Sequence, residues 1–244
     1  MIDTSGFTAS RKIFEGRSVI FYRAVREADG VPVILKRLKN KLSDEDKLSL
    51  FNSEIEGTNK LNHGGILKLL DTSIYLHEPV LVMEDFGGEI LENIIRNGRI
   101  SIDLFLKIAV ELVDIVACIH NSNMIHRRIR PDSIFVDTEN CMVKLTGLRD
   151  NAETAMDDQI QHEWIGNMYD TAYISPEQTG RVNRKPDYRT DFYSLGIVFY
   201  EMLTGVLPFE YKDYAEIIYS HLAGEAVPVS QRNPDVPEVL TAII

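Results

Sequence analysis

The chain changes its periodicity at Gly87-Gly88, and that change limits the fold more than any other feature. Before the pair, β-rich runs dominate, at residues 19–25, 31–36, 66–70 and 80–83. Asp29-Gly30 supplies a hairpin turn between the first two. One helix interrupts the strands, with Ser43 and Asp46 as a capping box and Leu48, Phe51, Ile55 and Thr58 at helical spacing. After the pair the spacing becomes three or four. Phe105, Ala109, Leu112, Val116 and Ile119 form a buried helix face. Leu195, Val198, Phe199, Met202 and Leu203 form another, stopped by Gly205 with Pro208 beyond it. Residues 214–222 read as a further helix, residues 134–145 as the site of two short strands, and residues 149–170 as a polar loop. The expected fold class is α+β and bilobal: a strand-rich N-terminal lobe over residues 1–86 and a helical C-terminal lobe over residues 87–244.

Charge narrows the function classes. A formal net charge of −11 argues against nucleic acid or an anionic membrane as partner. The two cysteines, Cys118 and Cys141, have neither disulfide-framework nor metal-site spacing and read as free thiols in a reducing compartment. The first residues lack the apolar run of a secretory signal, and no stretch approaches the ~18 apolar residues of a membrane span. A cytoplasmic location follows as the expectation.

Several short motifs stand in a fixed order. Lys36 ends a V-x-x-K strand, and Glu54 lies on the following helix, nine residues before His63. Gly16 stands alone in Phe14-Glu15-Gly16-Arg17-Ser18-Val19. Then come Met83-Glu84-Asp85-Phe86, His126-Arg127-Arg128-Ile129-Arg130-Pro131-Asp132-Ser133, Val143-Lys144-Leu145-Thr146-Gly147, Ser175-Pro176-Glu177 and Asp191-Phe192-Tyr193-Ser194-Leu195-Gly196. Each alone is weak; most charged residues are simply solvated. Their order and spacing resemble the protein kinase superfamily. The stretch from Tyr173 to Phe209 is similar to kinase-like domains at the N-terminus of large bacterial sensor histidine kinases.

The resemblance implies a role for each position. Lys36 would contact nucleotide phosphates and pair with Glu54. Gly16 would belong to the phosphate-covering loop, and Met83, Glu84 and Phe86 to the hinge that bonds an adenine edge. Ile34 replaces the small residue usual over the adenine, and two of three loop glycines are missing, so ATP binding is expected to be weak. Asp191 would cap its helix and bond the catalytic loop. His126 reads as a buried structural residue, and Arg127 as the residue that can hold an activation-loop phosphate.

Three positions depart from the pattern. Arg128 stands where the catalytic Asp belongs, Ser133 where the metal-binding Asn belongs, and Gly147 where the metal-binding Asp belongs. An arginine keeps its proton and cannot serve as a general base. Losing a general base costs roughly 10²–10⁴-fold, and losing both metal ligands makes magnesium doubtful. No other metal site is expected. Asp132 and Asp150 lie near the lost positions as possible substitutes, against the plainer reading of solvated loop carboxylates.

The expectation is therefore a pseudokinase acting as a regulatory or nucleotide-sensing module. One alternative is an active, atypical Ser/Thr kinase using displaced carboxylates; another is a scaffold with no nucleotide site. The C-terminal lobe looks short for the family, so the apolar residues 239–244 are expected to meet further sequence or protein.

Overall fold

The structure is a computed structural model, and it describes residues 6–39, 42–98, 100–149 and 168–244. A five-stranded antiparallel sheet forms one lobe: β1 (Phe7–Glu15), β2 (Val19–Arg26), β3 (Pro32–Leu38), β4 (Leu69–Tyr75) and β5 (Glu78–Glu84), in the order β1-β2-β3-β5-β4. The β2–β3 turn is built as expected. Gly30 takes φ +70, and the Asp29 carboxylate accepts a bond from the Val31 amide. Helix α1 (Asp44–Asn59) packs against β4 and β5. Ser43 caps it by accepting from the Asp46 amide. Its buried face is Leu50, Phe51, Glu54, Gly57 and Thr58; Leu48 and Ile55 are only half-buried, so the expected stripe is rotated. The rotation turns Glu54 inward, toward β3.

One strand starts later than expected. Residues 66 and 67 lie ahead of β4 and pair elsewhere: the Leu67 amide donates to the Leu145 carbonyl and the Leu145 amide to the Gly65 carbonyl, while the Lys68 carbonyl already accepts from the Glu84 amide of β5. The apolar run 66–70 therefore joins the two lobes instead of filling one strand.

The second lobe begins with β6 (Glu89–Ile90) and α2 (Leu91–Arg96), followed by the long α3 (Ile102–Asn121). A three-stranded sheet β6-β7-β8 contains β7 (Ile134–Asp137) and β8 (Met142–Leu145). Then come α4 (Met168–Thr171), α5 (Arg189–Thr204), α6 (Tyr214–Ala223), α7 (Val229–Arg232) and α8 (Glu238–Thr241). Helix α5 ends at Gly205, which adopts φ +77 and donates its amide to the Glu201 carbonyl. Phe105, Ile108, Leu112, Ile115 and Ile119 of α3 pack with Leu195, Val198, Met202 and Leu203 of α5 in the main core. A second core runs from the first sheet into the second lobe: Phe14, Phe21, Ile34 and Met83 share it with Phe135 of β7. Among the described residues no helix is long and apolar enough to cross a membrane.

Candidate functional site

The cleft between the lobes is organised by Asp191, which is fully buried. One of its oxygens accepts from the Arg127 amide at 2.7 Å; the other accepts from the His126 amide at 2.9 Å and lies 2.8 Å from His120 Nε2. Sequence reasoning placed Asp191 as helix cap and loop anchor. It anchors the loop, but Tyr188 occupies the cap position of α5 without a side-chain bond. The anchoring holds Arg127 at φ +64, a left-handed conformation costing about 1–2 kcal/mol for a residue with a Cβ. Gln178 fixes the next peptide, donating from Nε2 to the Arg127 carbonyl at 2.9 Å.

His126 is buried beneath the loop, its Nε2 3.1 Å from the Thr146 carbonyl and its Nδ1 accepting from the Arg128 amide at 3.2 Å. Burial lowers its pKa to about 4, so the ring is neutral and structural.

Lys36 and Glu54 meet as expected. Lys36 Nζ donates to both Glu54 oxygens, at 2.8 and 2.7 Å, and both side chains are buried. Burial disfavours both charges and pulls Lys36 below its usual range. Burial also pushes the Glu54 carboxyl up, but the Lys36 ammonium overrides it and holds the group below the usual carboxylate range. Thr146 Oγ1 adds a third donor to Glu54 at 3.1 Å, which ties α1 to the end of β8.

Beside this pair lies a small pocket. Lys36, Glu54, Arg128, Asp132, Ser133 and Gly147 all line it, together with Arg130 and Arg149. None of the three substituted positions offers a metal ligand. Gly147 has no side chain and sits at φ +96. Ser133 Oγ serves its own loop, donating to the Arg130 carbonyl at 2.8 Å and accepting from the Arg130 amide at 3.1 Å. Burial pushes the Arg128 guanidinium well below its ordinary value, and Arg130 and Arg149 add repulsion; an arginine so placed still keeps its proton.

Asp132, the nearby substitute, is 2% exposed and faces Arg130, with contacts of 3.0 Å from Nε and 3.2 Å from NH2. Arg130 also pairs with Asp170 of α4, and Ser18 Oγ donates to Asp170 from the β1–β2 turn at 2.7 Å. Asp150, the other substitute, lies outside the described residues, as does most of the expected polar loop. No group of three His, Cys, Asp or Glu side chains among the described residues is placed to hold a metal ion. Among the described residues the carboxylates lining the pocket are engaged, Glu54 by Lys36 and Asp132 by Arg130.

The remaining expected residues lie apart from the pocket lining. Gly16 makes a tight turn, its amide donating to the Val19 carbonyl at 2.9 Å. Its lack of a side chain serves Phe14, whose ring would lie 2.6 Å from a Cβ there. Met83 is core, with its sulfur 3.7 Å from Thr146 Oγ1. The Glu84 carboxylate accepts from Lys144 Nζ at 2.5 Å and from the Lys68 amide at 2.9 Å. The Lys144 ammonium lies 5.2 Å from the Phe86 ring centroid. Arg23 holds the connection between the lobes, bonding Asp85 at 2.5 Å and the Gly88 carbonyl at 3.0 Å.

Sequence reasoning missed Ser18, Phe21, Arg130, Phe135, Arg149 and Asp170. Arg130 and Asp132, two apart in one quoted loop, carried the only local signal of a pair.

A two-lobed fold of this order, with the Lys36–Glu54 pair and an Asp191-anchored loop, has a direct counterpart among known domains. A sequence profile described as the protein kinase domain matches residues 7–240. The chain belongs to the protein kinase family. The kinase domain is 31% identical over 214 residues to a probable serine/threonine-protein kinase of Clostridium perfringens, covering 87% of this chain and 30% of that protein. It is 29% identical over 225 residues to a hybrid signal transduction histidine kinase of Dictyostelium discoideum, covering 65% of this chain and 6% of that one. The chain thus spans a third or less of the length of either relative. Among solved structures, the fold matches Rad53 residues 1–466 in complex with AMP-PNP, with a TM-score of 0.66, 19% identity, and coverage of 98% of this chain and 59% of that one.

Proposed function

We propose that this kinase domain is a pseudokinase, a regulatory module of a larger cytoplasmic signalling protein, with lobes at residues 1–86 and 87–244. One observation carries the reading: the cleft is assembled, yet its carboxylate near the reacting position, Asp132, is neutralised by Arg130, and Arg128 occupies the place of the base. A general base must be free to accept a proton. Nucleotide, if held, would meet Lys36, Glu54 and the arginines through its phosphates, weakly and without magnesium. Partners would be further domains of the same polypeptide or other proteins. The likeness to a hybrid histidine kinase supports a place in a multidomain signalling protein.

A second reading has support of its own. The Lys36–Glu54 pair is formed, and the Clostridium relative is a probable serine/threonine kinase, which favours an active enzyme transferring phosphate from ATP to a Ser or Thr hydroxyl. A third, a scaffold without a nucleotide site, draws on the buried contact between Phe21 and Phe135 across the cleft. Phosphate transfer decides between the first two. With labelled ATP and magnesium or manganese, the pseudokinase reading expects incorporation no higher than that of Lys36→Ala. Robust transfer abolished by that substitution would establish the active enzyme.

A further inference from the structure

The loop that leads into α5 has a charge opposite to that of the chain. Residues 180–189 hold four basic side chains and one acidic one, in a chain of net charge −11. Arg184 and Arg189 converge on the Asp187 carboxylate. Arg184 NH2 lies 3.0 Å from it, and Arg189 donates to it from Nε at 3.1 Å and from NH2 at 2.6 Å. The Arg189 amide donates to the same carboxylate at 2.9 Å. Glu177, also within the field of Arg184, accepts from Thr190 Oγ1 at 2.6 Å. Each guanidinium carries five donor hydrogens, more than one shared carboxylate can take, and both side chains are about half exposed.

Aromatic rings continue this surface. The Arg189 guanidinium lies 5.7 Å from the Tyr188 ring centroid. The Tyr188 and Phe192 centroids are 5.7 Å apart, and Phe192 lies 5.3 Å from the His120 ring. Tyr188 and Phe192 are 52% and 50% exposed, so two large rings stand side by side in water. Beneath them His120 is held by Asp191 at 2.8 Å, the residue that anchors the cleft loop. The rings rest on a fixed base, which leaves little ordering for a partner to impose. Arginine beside tyrosine and phenylalanine is the composition of interface centres.

Charge selects the kind of partner. The field of exposed charges fades within about 8–10 Å at physiological salt. A nucleic acid or an anionic bilayer extends well past that distance and would meet the acidic remainder of the chain; a short segment would not. We propose that Arg184, Arg189, Tyr188 and Phe192 dock a short acidic protein segment, with its carboxylates on the guanidiniums and one apolar side chain across the two rings. None of these residues lines the cleft pocket, so the inference holds whether or not the cleft transfers phosphate.

A random dodecapeptide display library panned on the intact chain tests it. The selected peptides, synthesised with a fluorescent label, are then titrated by anisotropy. Sequences rich in Asp and Glu around an aromatic or aliphatic residue are expected. Arg184→Gln combined with Arg189→Gln should weaken their binding about tenfold or more, and so should Phe192→Ser. These side chains are half exposed, so the variants should fold, and melting curves verify it. Raising salt from about 0.1 M to about 1 M cuts the Debye length from about 10 Å to about 3 Å and should weaken binding at least about fivefold. Oligothymidylate and phosphatidylserine-containing vesicles, titrated in parallel, should bind far more weakly than the peptides. Failure to select any peptide, selection of neutral or basic sequences, affinity unchanged in both variants, or oligonucleotide or vesicle binding as tight as that of the peptides would each overturn the inference.

Discussion

The Ser18 hydroxyl donates a buried 2.7 Å hydrogen bond to Asp170, a residue 152 positions away in the opposite lobe. Asp170 also pairs with Arg130, which faces Asp132 in the cleft. The β1–β2 turn is thereby fastened to α4 of the second lobe. A loop needed to admit and release a nucleotide would be expected to move; this one is latched. Ser18→Ala removes the latch and leaves Arg130 paired. The expected cost is about 1–3 kcal/mol, typical of a hydrogen bond to a charged partner. Amide exchange should speed up at residues 16–19 and stay unchanged in α3. Equal exchange in both proteins at the turn would show that the bond does not restrain it.

Lys36 and Glu54 make the second test. Both are buried, so removing one partner strands the other charge. Lys36→Met and Glu54→Leu are each expected to cost about 3–5 kcal/mol. The double variant should be closer to wild type than either single variant, because no isolated charge remains. Urea unfolding with unchanged m-values reads all three. Single variants that each lose less than about 1 kcal/mol would mean that water reaches the pair.

The Lys36–Glu54 pair was legible because its signal is local: a V-x-x-K strand and a Glu at a fixed interval before His63. Asp191 was legible for the same reason, inside Asp-x-x-Ser-x-Gly. The contacts that close the cleft had no such signal. Phe21 and Phe135 each read as an ordinary core residue on a strand, and only the packed fold shows them touching across the lobes. Ser18 and Asp170 are small polar residues in irregular segments, where periodicity is silent. Gly16 misled for a physical reason: a glycine that admits a phosphate and one that admits a phenylalanine ring look alike in sequence. The run at 66–70 misled because an apolar run gives no register, and its first residues bond to β8 rather than to β5.

His126 predicts acid lability. Its usual pKa is 6.5, and burial lowers it to about 4 in the folded chain. A depressed folded pKa gives stability that is present above pH 6.5 and lost as pH falls toward 4. The total is roughly 3 kcal/mol at about 1.4 kcal/mol per pKa unit. Unfolding near pH 5 should therefore take up about one more proton in wild type than in His126→Gln. Identical pH slopes for the two proteins would show that another group drives the acid transition.

Glu201 works in the opposite direction. It lies on α5, where Tyr173 donates a 2.7 Å hydrogen bond to its carboxyl, and burial raises its pKa to about 7 from an ordinary 4.5. A raised folded pKa gives stability that is full below pH 4.5 and lost as pH rises through about 7. The charged carboxylate is what burial penalises, by roughly 3 kcal/mol once fully ionised. Glu201→Gln keeps an acceptor for Tyr173 and removes the charge. The variant is expected to match wild type near pH 4 and to exceed it at pH 8, with most of the difference developing between pH 4.5 and pH 7. The His126 window overlaps this one, so stability should be measured in Glu201→Gln, His126→Gln and the double variant across pH 4 to 8. In the double variant both slopes should flatten independently, because Glu201 bonds Tyr173 whereas His126 bonds Asp191 and Thr146, and effects without a shared partner add. A wild-type curve that stays parallel to Glu201→Gln from pH 5 to pH 8 would mean that Glu201 ionises at an ordinary pH, with water reaching it beside Tyr173.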